Sequence, residues 1–421
     1  MSGASQPTVG LRAGAGGKPP RATEATYAPG AVVPAATAAA RGGATYVTEP
    51  TSYDAVLLLG FGGPEASEDV MPFLRNVTAG RGIPDERLAE VAEHYHHFGG
   101  VSPINAQNRA LRQALEEELA RTGPALPVLW GNRNFAPYLT DALHEAHEAG
   151  HRRLLVLATS AYSSYSSCRQ YREDLADALA ATGLADVLEV DKIRSFFDHP
   201  GFVESFVTAV EGAVAELAGR GRRRITVLFA THSIPTGDAE RSGAPGRDLG
   251  PGGAYEAQHL AVGRVVMERT GVPDGVALDS ALVYQSRSGP PSQPWLEPDI
   301  NDHIADIARD AQETGADRPD ALVIAPIGFL SDHLEVLWDL DNEAMETAAE
   351  HGFDAIRVPT PGADPTFVAG LADLVRERAE GRPRSQRAAL TELGPDIDVC
   401  RPECCANARR PFAPAVAGVA P

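Results

Sequence analysis

At 421 residues, with 43% hydrophobic and 22% charged side chains, the chain can hold two cored domains and has the balance of a globular protein. A formal charge of −20 excludes a nucleic-acid face, which needs clustered basic residues, and suits a cation or a neutral-to-apolar substrate. No apolar run approaches the roughly 18–20 residues that span a bilayer, and the basic residues are nearly all arginine, a bias from which no function follows.

The first fifty residues are rich in Ala, Gly, Pro and Thr, with few large apolar side chains before Tyr46 and Val47. Such a segment cannot offset its ordering entropy, so residues 1–50 are expected to be a disordered extension. Arg12, Lys18 and Arg21 ahead of Ala31-Val32-Val33 imitate an export signal, but Pro34 breaks the run and a cytoplasmic protein is expected. Strand-like apolar runs follow at 55–60, 128–130, 154–158, 187–190, 225–230, 281–283, 322–325 and 356–358. Amphipathic helical stretches such as 87–97, 108–121 and 202–220 lie between them. Strands alternating with helices predict βαβ units and parallel sheets, hence an α/β fold. Two groups of four strands predict two similar halves, 51–198 and 199–384, dividing near 196–202. Residues 385–421 are expected to be a cysteine-bearing extension with a flexible Pro/Ala tail, and a Gly/Pro loop marks 242–253.

In open parallel sheets, ligands collect beyond the carboxyl ends of the strands. The exits here read Gly60-Phe61-Gly62-Gly63-Pro64, Thr159-Ser160-Ala161-Tyr162, Thr231-His232-Ser233 and, after Pro326-Ile327-Gly328, an acidic segment. His232 can take a proton or ligate a divalent metal, although a lone histidine there is also an ordinary structural residue. Glu335, Asp339 and Glu343 stand four apart, so on a helix they form one stripe of like charge that a divalent cation would relieve. The bland alternative is a solvated acidic face. Leu334, Val336, Leu337, Trp338 and Leu340 crowd the stripe as in a buried helix, and Asp332 and His333 precede it. His232 and Glu335 offer one nitrogen and one oxygen, too few for a closed zinc site and suited to a metal in transit. No G-x-G-x-x-G, Walker A or G-x-S-x-G pattern is present, which argues against nucleotide binding and serine hydrolysis. The segment from Tyr284 to Trp295 reads equally as a Pro-rich loop and as a cleft wall. Of four cysteines, Cys168 stands alone and Cys400, Cys404 and Cys405 crowd together without a C-x-x-C pair. Spacing leaves a [2Fe-2S] cluster, zinc and unliganded thiols all open.

Five ordered motifs carry a resemblance: Leu59-Gly60-Phe61-Gly62-Gly63-Pro64; His97-Phe98-Gly99-Gly100-Val101-Ser102-Pro103-Ile104-Asn105; Ala230-Thr231-His232-Ser233-Ile234-Pro235; Tyr284-Gln285-Ser286-Arg287-Ser288-Gly289; and Pro326-Ile327-Gly328-Phe329 through Asp339-Leu340-Asp341-Asn342-Glu343. Together, from about residue 53 to 379, they resemble the ferrochelatases. The resemblance implies two Rossmann-like, chelatase-type halves and insertion of ferrous iron into a porphyrin held between them. It makes His232 a ligand of incoming iron or an acceptor of a pyrrole proton, Glu335 its partner across the cleft, and Asp339 and Glu343 an ancillary metal-binding ladder on a π-distorted helix. Ser102 and Tyr171 match porphyrin-contacting positions. Phe61 joins them as substrate-binding, at the place where some relatives carry a tyrosine that ligates product iron. Cys168, Cys400, Cys404 and Cys405 match the cluster-bearing members, implying a [2Fe-2S] cofactor, and such members point to coproporphyrin III as substrate and coproheme as product. Protoporphyrin IX insertion, a non-catalytic tetrapyrrole carrier and an iron–sulfur sensor are the rivals. The expected partners are porphyrin, ferrous iron and other heme-pathway enzymes.

Overall fold

Eight strands form where aliphatic runs can be buried on both faces, as parallel sheets require. The computed structural model that displays them describes residues 44–418, apart from positions 81, 290–291, 315–317, 402 and 408–412. The expectations for residues 1–43, the export-like run included, lie outside the described residues. In the first half β1 (Ala55–Gly60), β2 (Val128–Asn132), β3 (Arg153–Ala158) and β4 (Glu189–Lys192) pair in the order β2-β1-β3-β4. In the second, β5 (Arg224–His232), β6 (Ala277–Gln285), β7 (Ala321–Ala325) and β8 (Asp354–Arg357) repeat that order as β6-β5-β7-β8. Every pairing is parallel, and β1 and β7 are buried along their whole length. The predicted α/β architecture of two matching halves is present.

Several strand boundaries differ from expectation by two residues or more, and the starts of β6 and β4 do so for one reason. β6 starts at Ala277, four residues early, because its first six residues are exposed or half-buried at a sheet edge and so lack an apolar run. β4 starts at Glu189 rather than Val187, whose side chain is 39% exposed. Edge positions mix polar and apolar residues, and a hydrophobic run cannot mark their ends.

The helices are α1 (Val70–Val77), α2 (Asp85–His97), α3 (Ile104–Thr122), α4 (Leu139–Glu148), α5 (Gln170–Thr182), α6 (Pro200–Gly219), α7 (Thr236–Glu240), α8 (Gly253–Arg269) and α9 (Ile300–Thr314). The acidic helix α10 runs through Leu334–Val336, a π-helical Leu337–Ala344 and Met345–Glu350; α11 (Pro365–Glu380) follows. A single hydrophobic cluster joins Val56, Leu58 and Leu111 of the first half to Val227, Val323 and Phe367 of the second through Phe196, Phe197 and Phe202. The expected dividing segment is therefore core, with each buried Phe contributing about 1.5–3 kcal/mol. Among the described residues no helix is long and apolar enough to cross a membrane.

Beyond α11 the chain is sewn down by buried charge. Arg387 donates to both Asp398 oxygens at 2.8 and 2.7 Å and to Val47 O at 3.0 Å, and Asp398 Oδ2 accepts the Val47 N–H at 2.8 Å. Arg194 joins Asp198, Glu377 and Ala388 O in the same region. The tail expected to be flexible is packed over residues 413–418. Val416 and Ala417 fill an apolar slot with Tyr171, Leu175 and Val190, Arg172 Nε donates to Val416 O at 2.7 Å, and Cys400 N donates to Ala417 O at 3.2 Å.

Candidate active site

His232 is the last residue of β5, and Gln285, the last of β6, stands opposite it in register. The chain leaves β7 over this same edge. Gly328 crosses β5 so closely that a Cβ would lie 2.1 Å from Thr231 Oγ1, so only glycine permits the crossing that brings the head of α10 toward His232. His232 Nδ1 is 2.5 Å from Ser233 O. A carbonyl only accepts, so Nδ1 carries the hydrogen and Nε2 of the neutral ring keeps the free lone pair. Tyr255 Oη donates to His232 O at 2.9 Å and sits 2.8 Å from Thr231 Oγ1, which in turn reaches His259 Nε2 at 3.0 Å. Burial pushes the His259 pKa down to about 3, so this imidazole is a neutral strut behind the site.

The acidic stripe lies on the π-helical part of α10 and the turn before it. Its i→i+5 bonding widens the turn and keeps positions four apart nearly aligned. Gln285 Nε2 donates to Asp339 Oδ2 at 3.2 Å, and Ser286 Oγ donates to the same oxygen. Ser286 adopts φ 60°, a left-handed backbone that is strained for a side chain and holds this clamp in place. Trp338 Nε1 donates to Glu343 Oε1 at 2.9 Å, while Glu335 is open to solvent. Among the described residues none of the three acids has an ion-pair partner. Arg357 is held instead by Asp332 at 3.2 Å and Asp341 at 2.6 Å. Burial, reinforced by Glu335 and Glu343 and opposed by the Ser286 hydrogen bond, pushes the Asp339 pKa up to about 7.

The folded protein retains a proton on Asp339 that the unfolded chain, with its carboxyl near 3.9, releases, so this group's stability is complete below about pH 4 and is lost as pH rises through 7. Asp339→Asn is expected to raise stability at pH 8 relative to pH 5 by on the order of 1–3 kcal/mol in denaturant titrations. Equal changes at both pH values would contradict the raised pKa.

The first half supplies the facing wall. Phe73, Leu74 and Tyr95 pack with Leu334, joined by Phe61, Phe98, Phe135 and Leu337. His94 stacks on Trp338 at 4.0 Å, and Asp332 N donates to Gln107 Oε1 at 2.8 Å. Burial, then the charges of Glu335 and Asp339, keep the Tyr95 phenol neutral. Burial also lowers the His333 pKa, against the pull of Glu335 and with the push of His232. His333 is thus a second imidazole beside His232 and Glu335, a residue that sequence spacing placed next to the stripe without a role. Gln285 and Ser286 lie in the segment that reads from sequence as either a loop or a cleft wall, and their position at the exit of a strand paired with β5 is the signal that singles them out.

The expected substrate contacts occupy the first half. Ser102 N donates to Pro64 O at 2.8 Å, and a Cβ at Gly63 would stand 2.8 Å from Ser102 Cβ, so the glycine turn and Ser102 are in contact. Arg133, paired with Asp174 at 2.5 Å, lies 5.6 Å from the Phe61 ring and 4.3 Å from the Tyr171 ring. Tyr171 is only 6% exposed, which leaves little of its ring open.

Cys168 sits in a π-helical turn, Tyr165–Arg169, at the exit of β3, capped by Ser164 accepting from Ser167 N. The C-terminal extension brings the other three cysteines to it. Cys168 packs against Cys400, Cys404 and Cys405, so the four free thiols form one cluster. Hydrogen bonding from Cys168 and Cys404 holds Cys400 and Cys405 well below the ordinary thiol pKa, and Cys168 and Cys404 are correspondingly raised. Gly243 N, from the second half, donates to Cys405 Sγ at 3.1 Å. Among the described residues no group of three or more His, Cys, Asp or Glu side chains is arranged to hold a metal ion as it stands. As a donor set the four cysteines nevertheless fit an iron–sulfur group: four clustered sulfurs, three of them on buried cysteines, beside the buried cations Arg172 and Lys192.

Two matching parallel α/β halves, with a histidine lone pair and an unpaired rank of acids at the strand exits between them, define a chelatase-type metal-handling protein. The sequence profile of the ferrochelatase family matches residues 53–379, and the chain belongs to that family of metal-inserting enzymes. The coproporphyrin III ferrochelatase of Leifsonia xyli subsp. xyli is 60% identical over 396 residues, 92% of this chain and 99% of the relative. That of Tropheryma whipplei is 56% identical over 373 residues, covering 88% and 93%. Among solved structures, SirB from Bacillus subtilis with Fe3+ aligns over 80% of this chain and 100% of that one at 11% identity and TM-score 0.46, too distant to bear on the site.

Proposed function

We propose that this protein inserts ferrous iron into coproporphyrin III to give coproheme, in the cytoplasm, within heme biosynthesis. Insertion exchanges one Fe2+ for two pyrrole protons, so a site needs a proton acceptor against the ring and an exit for charge. His232 Nε2 takes a pyrrole proton, because its lone pair is free while Nδ1–H is committed to Ser233 O. Glu335, Asp339 and Glu343 exchange iron and protons with solvent on the other side, with Asp339 able to change state near neutral pH. Phe61, Ser102 and Tyr171 contact the porphyrin, and Arg133 braces the two aromatic rings. Remote contacts of this kind hold the ring in the puckered form that exposes its nitrogens. Cys168, Cys400, Cys404 and Cys405 hold a [2Fe-2S] cluster, which when bound supplies a one-electron centre.

The observation that carries this reading is the pairing of a committed histidine tautomer with acids that have no cation of their own. The high identity to coproporphyrin III ferrochelatases supports coproporphyrin III as the substrate. The test is anaerobic iron insertion with coproporphyrin III and protoporphyrin IX side by side. Coproporphyrin III carries four propionates rather than two, and recognition of the extra pair is expected to favour it by about tenfold or more in kcat/KM. Equal or reversed kcat/KM would reassign the substrate.

A further inference from the structure

Lys18 and Lys192 are the only lysines in a chain whose other basic residues are all arginine. Lys192 is the last residue of β4 and is 8% exposed, so it serves neither solubility nor a surface ion pair. It lines a cavity of ≈ 30 Å³ with Cys168, Arg172, Ser167 and Ser195. Arg172 is 3% exposed; its Nε is bound to Val416 O, while its Nη1 has no hydrogen-bond partner. The acid on this side is Asp396, which accepts from Ser163 Oγ at 3.0 Å. Two buried cations thus line one cavity with Cys168, and neither has a salt bridge among the described residues. One acid, Asp396, faces two buried cations, and uncompensated buried charge is costly, so further negative charge belongs in this place.

We infer that Lys192, supported by Arg172, is the built-in counter-charge of the four-cysteine centre and sets the reduction potential of the iron–sulfur group those cysteines hold. This rests on the cluster assignment proposed above. Four thiolates, two sulfides and two ferric ions sum to −2, and an external one-electron donor such as dithionite takes the group to −3 by reducing one ferric ion to ferrous. A fixed positive charge nearby favours that added electron. The compact ammonium of lysine does so where the broader guanidinium used elsewhere in this chain would need the adjoining cavity.

The full-length protein is to be reconstituted anaerobically and titrated with dithionite while the reduced-cluster electron paramagnetic resonance signal is followed. Lys192→Met is expected to shift the reduction equilibrium about tenfold toward the oxidised form, a midpoint lower by about 59 mV for one electron. Lys192→Arg, whose extra atoms the cavity can take, is expected to restore the wild-type midpoint. Should Lys192→Met assemble no cluster, iron and sulfide content decides: a loaded Lys192→Arg beside an empty Lys192→Met supports the counter-charge, and two empty variants overturn it in favour of shape. A wild-type midpoint in Lys192→Met also overturns it while leaving the cluster assignment intact. Wild-type protein that binds no iron and sulfide at all overturns the cluster assignment first, and this inference with it.

Discussion

His232→Ala is expected to slow iron insertion by about 10²–10⁴-fold, the range for loss of a positioned general base, while porphyrin binding changes by no more than a few fold. The asymmetry follows from where the residue sits. Nε2 carries a lone pair that β5 presents at the cleft, and the proposed porphyrin contacts Phe61, Ser102 and Tyr171 belong to the first half, which the substitution leaves in place. Truncation also leaves the Thr231–Tyr255–His259 bonding chain intact, since Tyr255 grips the His232 carbonyl rather than its ring. Fluorescence titration of bound porphyrin separates the two effects. A variant with wild-type turnover would remove His232 from the chemistry and shift attention to His333, the neighbouring imidazole.

Arg387→Met is expected to cost about 3–5 kcal/mol of unfolding free energy in urea titrations, the usual loss when one partner of a buried ion pair is removed and the other stays. Asp398 would keep its Val47 N–H but lose both guanidinium bonds while 2% exposed. The damage should travel. Asp398 and Val399 hang from Thr45 O, directly before Cys400, so loosening this clasp should also lower iron and sulfide content after reconstitution. A cost below about 1 kcal/mol would mean that the extension is held by its apolar contacts alone.

The two α/β halves were legible because their central strands are buried on both faces and so read as uninterrupted apolar runs; strand ends moved by a few residues, most of all the start of the edge strand β6. His232 and the acid stripe were legible from chemistry placed at strand exits. The clamp on Asp339 was not, since it depends on the β5–β6 register that sets Gln285 beside His232 and on a left-handed Ser286, neither of which leaves a periodic trace. The meeting of the cysteines was beyond spacing for a similar reason. Cys168 and Cys400 are brought together by Arg172 gripping Val416, Arg387 gripping Asp398 and a tail that composition alone marks as loose. Buried arginine pairs scattered along the chain look, in sequence, like surface charge.

The most direct measurement is anaerobic rapid mixing of the full-length protein, preloaded with coproporphyrin III, against ferrous iron. Free-porphyrin emission is expected to disappear in step with the rise of a coproheme absorption spectrum, catalytically over many equivalents of porphyrin. Persistent emission from tightly bound porphyrin, with an unchanged spectrum after iron is added, would contradict insertion and leave a tetrapyrrole carrier in its place.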